Sequence, residues 1–290
     1  MQRLSGALFI IISAASFGTL AILGRYAYAD GLDTFTVLAL RFCCAALIMA
    51  GWLMLRREGW PRGKTLAQLI GMGALGYVGQ SFCYLTATQY ASAGLVALLL
   101  YLYPIFVAIL SVIFLKETFT RLKVLALALA TCGVALTADP QGGGWTGILL
   151  AIGAAAIYSV YIIVGTGVLK RVTAMQSSTV IFASAGAVYA TLAIINGPHL
   201  PRTASGWSVV AAIVLVATII PVVTFLAGLR RIGPTNASLL STLEPVVTVL
   251  LAALLFGEVL PPAALVGGAF ILAAVLLVAR SELVSKETAP

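Results

Sequence analysis

Charged residues make up only 9% of this chain, and histidine occurs once in its 290 residues. That scarcity removes whole classes of chemistry. A zinc site of the His-Glu-x-x-His type needs two histidines, and His199 stands alone beside Pro198. A serine nucleophile needs a base; the Ala-Ser-Ala-Gly runs at 91–94 and 183–186 lie in apolar stretches with no histidine or lysine to serve them. No glycine-rich phosphate loop is present, so direct ATP coupling is not expected. A selective ion channel wants a filter or a charged ring, and one acid and one base inside apolar segments are too few unless copies assemble. The four cysteines (Cys43, Cys44, Cys83, Cys132) all fall within apolar segments and have no metal-ligand spacing. They suit packing better than a disulfide framework. No cofactor or metal is expected, and no enzyme.

Apolar sequence is what the chain has. It is 61% hydrophobic, with a mean hydropathy of +1.10. Near-uncharged stretches of about 20 residues read as helices that cross a bilayer. Ten such stretches are predicted, roughly at 5–24, 34–55, 67–87, 93–114, 122–138, 145–166, 175–196, 207–229, 235–256 and 261–280. The fold class expected is all-α integral membrane. A β-barrel would show short alternating segments instead. The first stretch is long, has only Arg3 ahead of it and has a copy in the second half, so it does not read as a cleavable signal.

The net charge is +8, and 14 of the 17 basic residues sit on one side of a ten-helix layout, with Arg25 and Arg202 on the other and Arg41 within a helix. Arg56, Arg57, Arg62, Lys64, Lys116, Arg121, Lys123, Lys170, Arg171, Arg230 and Arg231 share that side with Arg3, Arg280 and Lys286. The positive-inside rule then places both termini in the cytoplasm, in a cytoplasmic (inner) membrane. Such charge orients the chain and touches anionic lipid; a nucleic-acid partner would need a clustered soluble face. The partners expected are the lipid bilayer and a small molecule, with monomer and homodimer both open.

The chain repeats itself. Pro104 and Pro245 are 141 residues apart, and each is followed thirteen residues on by a glutamate, Glu117 and Glu258. The same offset pairs Gly6 with Gly147, Leu85 with Leu226, Leu102 with Leu243 and Leu136 with Leu277. It implies one five-helix unit over 1–140, a second over 141–281, and a cytoplasmic tail over 282–290. An odd number of helices makes the second unit enter the membrane from the opposite side, and Lys116 beside Glu117 becomes Gly257 in the copy. Inverted repeats of this kind are a transporter architecture, with substrate held between them near the midplane. The Gly142-Gly143-Gly144 run after Asp139-Pro140 reads as the link between the units.

The run Leu102-Tyr103-Pro104-Ile105-Phe106 with Phe114-Leu115-Lys116-Glu117, and its copy Leu243-Glu244-Pro245-Val246-Val247 with Leu255-Phe256-Gly257-Glu258, resemble the drug/metabolite transporter superfamily in its EamA-domain branch. The resemblance covers the whole chain. The aromatic-rich third and fourth helices are most similar to YddG-like exporters of amino acids. This resemblance implies ten helices around a central cavity, walled by helices 1, 3, 4, 6, 8 and 9. It also implies secondary export of aromatic and other neutral amino acids or related metabolites. Helices 5 and 10, almost wholly aliphatic, are expected outside against lipid. The alternative is an exporter of drugs or lipophilic cations, since aromatic rings with one acid suit these too.

Polar residues inside the apolar segments mark the candidate site. Tyr77, Gln80, Ser81, Tyr84 and Thr88 share one face of helix 3, facing either a wet cavity or another helix. Their copies Thr218, Pro221 and Phe225 have different chemistry, as a one-sided site would require. Tyr101 and Tyr103 on helix 4 point about 200° apart, so they share a wall only if the helix is distorted at Pro104. Tyr101 shares a face with Gly94, and Tyr103 with Ser92. Tyr158 and Tyr161 on helix 6 are positioned to stack on an aromatic or cationic ligand. Glu244 must be paired, hydrated or protonated at that depth. It reads as a proton site, as a ligand for a substrate amino group, or as a structural acceptor for Ser241 or Thr248. Arg41 either snorkels to the outer interface, holds a substrate carboxylate, or pairs with Glu244. Pro104, Pro221 and Pro245 each remove a backbone hydrogen bond and favour kinks or gating points.

Overall fold

The computed structural model describes residues 2–91, 93–118, 120–137, 144–257 and 262–284. Glu258, Ser92, the Asp139-Pro140 and Gly142-Gly143 link and the tail beyond residue 284 lie outside the described residues, as do the surroundings of Gly94 and the side chain of Arg280. Those that are described form ten spans. The first is α1 (Gln2–Gly18) plus α2 (Leu20–Ala29), the second α3 (Thr34–Leu55). The third joins α4 (Gly63–Gly71) through a π-helical segment, Met72–Tyr77, to α5 (Val78–Ala87). The fourth is α6 (Ala93–Leu100) with α7 (Tyr103–Leu115), and the fifth α8 (Arg121–Thr137). Then come α9 (Trp145–Val168) and α10 (Ala174–Asn196). The eighth span joins α11 (Ala204–Val214) through a second π-helical segment, Leu215–Ile219, to α12 (Ile220–Ile232). The ninth is α13 (Pro234–Ser241) with α14 (Leu243–Phe256), and the tenth α15 (Pro262–Val284). Eight of these stretches are long and apolar enough to cross a membrane; residues 63–87 and 121–137 complete the ten. Helices are the solution because hydrocarbon offers no partner for a backbone polar group.

The irregularities recur at the 141-residue offset. The fourth span breaks at Tyr101–Leu102 and the ninth at Thr242, each just before its proline. A proline within the first turn of a helix lacks only an N–H that would be unpaired there, whereas mid-helix it clashes with the carbonyl four residues back. The chain therefore restarts. Both restarted helices end in the left-handed region, at Lys116 (φ 55°) and Gly257 (φ 66°). The two π-helical segments also overlap in register. One break has no counterpart. The first span is predicted as a single helix, but it is interrupted at Thr19, whose amide and hydroxyl both donate to Ser16 O (3.2 and 2.7 Å). A side-chain hydroxyl competing for a helical carbonyl accounts for the interruption.

The two halves interlock. α1 packs on α12, and α5 on α9; α7 packs on α9, and α1 on α14. Each pairing maps onto its mate when the repeats are exchanged. α3 packs on α10 and α8 on α15, pairings that map onto themselves. Small residues let the backbones approach, as membrane helix packing requires. A Cβ on Gly133 of α8 would lie 2.7 Å from Gly267 O of α15. Leu125 on α8 and Leu272 and Leu276 on α15 are exposed, in keeping with a lipid-facing position.

Candidate functional site

The breaks in the first, fourth and ninth spans border one pocket of about 580 Å³. Its floor lies at the mid-span breaks, where Tyr103 and Glu244 line it. Its other end reaches Tyr28 and Thr34, at the ends of the first two spans. Below the floor the molecule is closed: every residue of α13 is buried. Tyr103 Oη donates to Ser238 O of α13 (3.3 Å), and Thr235 Oγ1 donates to Glu117 Oε2 (2.8 Å). Lys123 pairs with the other oxygen of Glu117.

The helix 3 stripe faces this pocket. Tyr77, Gln80, Ser81 and Tyr84 all line it, and Ser81 Oγ donates to Gln80 Oε1 (3.3 Å). Thr88 does not; it is exposed at the end of the span, and its hydroxyl is spent on Leu85 O (2.7 Å). The break at 101–102 also changes the geometry of helix 4, so Tyr101 and Tyr103 both line the wall with ring centroids 6.2 Å apart. Tyr158 lines it as well and meets Tyr103 edge-on at 4.8 Å. Tyr161 does not reach the cavity. It is buried behind the wall, stacked on Tyr158 (5.9 Å) and edge-on to Tyr77 (6.1 Å). Its place is to support the rings that do.

Glu244 is half-buried in the first turn of α14 and lines the pocket. The break at Thr242 puts this carboxyl at the positive end of a half-helix, which favours an acid by about 0.3–1 kcal/mol. The hydroxyls expected to serve it go elsewhere. Ser241 Oγ donates to Ala237 O (2.9 Å), and Thr248 Oγ1 to Gly18 O (3.0 Å) and to the Glu244 backbone carbonyl (3.2 Å). Thr248 itself lines the pocket, as do Phe17 and Leu38; the sequence marked none of these as cavity residues, and only the polarity of Thr248 could have signalled one.

Arg41 does not snorkel. It is 4% exposed, with its guanidinium turned inward. Nε donates to Thr218 Oγ1 (2.7 Å), and Nη2 to Ala217 O (3.2 Å) and Tyr77 Oη (3.4 Å). The reason lies in the eighth span. Pro221 has no N–H for the carbonyl four residues back, which is that of Ala217. Arg41 supplies the missing donor, and Thr218 Oγ1 serves Ile213 O across the π-helical turn (2.7 Å).

This corrects the expected wall. The eighth span lines nothing; the second span does, through Thr34, Val37, Leu38 and Arg41. Pro221 and its neighbours Val222 and Phe225 are buried, and the Pro221 carbonyl accepts from Ser13 Oγ (2.8 Å). Nor is the fifth span wholly outside, since Val134 reaches the pocket. Of the three prolines, Pro245 lines it; Pro104 and Pro221 shape it from behind.

The model of the EamA-like transporter family matches the chain twice, over residues 4–138 and 145–280. An uncharacterised transporter of Archaeoglobus fulgidus is 28% identical over 93% of this chain and 95% of its own. A probable terminal-alkyne amino-acid exporter of Streptantibioticus cattleyicolor is 28% identical, covering 82% of this chain and 80% of its own. An uncharacterised inner membrane transporter of Escherichia coli K12 is 28% identical over 76% and 73%. One crystal structure, 21% identical, overlays with a TM-score of 0.82 across 99% of this chain and 100% of its own, a likeness of fold.

Proposed function

The chain belongs to the EamA-like transporter family, and from that premise we propose that it exports neutral amino acids, or metabolites of that size, by alternating access. The observation that carries this reading is the pocket itself: one chamber at mid-span, closed below by α13 and reaching the opposite end at Tyr28 and Thr34. Its volume of about 580 Å³ falls within the range of small-molecule sites. In this reading the two five-span units, 1–140 and 141–281, are inverted relative to each other. The basic face, with Arg56, Lys116 and Lys123, is cytoplasmic, so the pocket is open to the outside. The binding wall is Tyr77, Gln80, Ser81, Tyr84, Tyr101, Tyr103, Tyr158 and Glu244, with Arg41 as charge partner and Tyr161 as support. Pro104, Pro221 and Pro245 set the flexing points. The amino-acid exporter among the relatives supports the substrate class.

Counterflow tests it without any assumption about the energy source. Proteoliposomes are preloaded with a mixed amino-acid pool, and uptake of labelled phenylalanine and threonine is followed with no ion gradient. Accumulation above protein-free vesicles is expected. Its absence, with folded protein, would reject the amino-acid reading. The tyrosine-rich wall with one acid favours a second reading, export of lipophilic cations. That reading requires cation binding that is lost in Glu244→Gln.

A further inference from the structure

Two opposite charges face this cavity without meeting. Elsewhere Lys123 meets Glu117, and His199 meets Asp33; Arg41 and Glu244 make no ion pair with the described residues, although both line the pocket and interact electrostatically across it. Each also keeps unused capacity on the cavity side. The guanidinium has five N–H donors, and Nε and Nη2 are the nitrogens engaged. Nη1 makes no hydrogen bond to the described residues, and Arg41 lines the pocket. The Glu244 carboxyl accepts no hydrogen bond from the described residues, because Ser241 and Thr248 donate to backbone carbonyls.

An unmatched charge away from bulk water costs several kcal/mol. A ligand with one charge would relieve one side and leave the other. A ligand carrying an ammonium and a carboxylate on one carbon relieves both, and it crosses the membrane with no net charge of its own. Building on the transporter reading above, we propose that the cavity recognises the zwitterionic α-carbon of a free amino acid. The ammonium docks on Glu244 and the carboxylate on Arg41 Nη1. The substrate side chain then lies against Tyr77, Tyr101, Tyr103 and Tyr158. Specificity follows from this arrangement: both termini must be free, and the side chain must be neutral. Lipophilic amines, which match only Glu244, are poor ligands.

Competition against labelled phenylalanine counterflow decides the point on the unmodified protein. The competitors are phenylalanine, its methyl ester (ammonium only) and N-acetylphenylalanine (carboxylate only). Each cap removes one charge-assisted hydrogen-bonding partner, so each derivative is expected to compete about tenfold less well or worse. In Arg41→Gln the methyl ester closes the gap on phenylalanine; in Glu244→Gln the N-acetyl compound does. Equal competition by both derivatives in the unmodified protein overturns the inference while the transporter reading stands. Failure of any amino acid to exchange overturns both. The unmodified protein gives the answer even if Arg41→Gln, which also strips the eighth span of its donor, does not fold.

Discussion

Lys116 closes α7 in the left-handed region, at φ 55°, where a side chain costs about 1–2 kcal/mol. Its copy is Gly257. Lys116→Gly is expected to raise stability by about 0.5–1 kcal/mol, read as a higher melting temperature in detergent. At the opposite end Asp30 ties two loops together. Its carboxylate accepts from Thr203 Oγ1 (2.7 Å) and from the amides of Arg202 and Thr203. The Thr203 hydroxyl, with those amides, holds its pKa below the ordinary 3.8. A depressed carboxyl stabilises the fold above its unfolded pKa, and that stabilisation fades as pH falls through the folded value. Melting at about pH 6 and about pH 3 should differ more in the parent protein than in Asp30→Asn. Within the cavity, Tyr77→Ala and Gln80→Ala are expected to cut transport about tenfold at unchanged expression and folding. Normal transport in both would make the stripe packing only. Arg41 shows why residue roles were hard to read. Its depth in the second span was legible, but its partners Ala217 and Thr218 are over 170 positions away, and its orientation follows from them.

At the scale of elements, the prolines were the legible part. They announced disturbances in the fourth and ninth spans, and both spans are broken there. The consequence for Tyr101 and Tyr103 depended on that distortion, which periodicity alone could not supply. Pro221 likewise marked the π-helical disturbance of the eighth span; the interruption at Thr19 and the π-helical segment of the third span carry no comparable mark, because threonine and glycine occur throughout these spans without breaking them. Pro245→Ala tests what the ninth-span break does. The new N–H can bond to Ser241 O, so α13 and α14 can join into one helix. Stability is expected to rise by about 0.5–1.5 kcal/mol, while transport falls, because Glu244 would leave its half-helix terminus. A faster transporter with a continuous ninth span would contradict that role.

On the scale of the molecule, composition and the 141-residue register made ten spans and two related halves readable, because hydrocarbon enforces helices whatever their packing. The wall of the cavity was less readable. Helix 8 was expected there and helix 2 found, since the choice rests on which faces pack between the halves. Two side-chain links at the closed end join them, Tyr103 Oη to Ser238 O and Thr235 Oγ1 to Glu117 Oε2. Thr235→Val keeps the shape and removes a bond to a carboxylate of about 1.5–3 kcal/mol. It should shift the resting population toward opening at that end, seen as increased labelling of cysteines placed near α13. The most direct test of a single site reached from one side at a time uses Ser81→Cys in a chain whose four native cysteines are replaced by alanine. A membrane-impermeant maleimide is applied from each side in turn. Labelling is expected from the side of Tyr28 and Thr34, and an amino acid that exchanges should block it. Labelling indifferent to every exchanged amino acid, or coming only from the side of Glu117, would contradict the account.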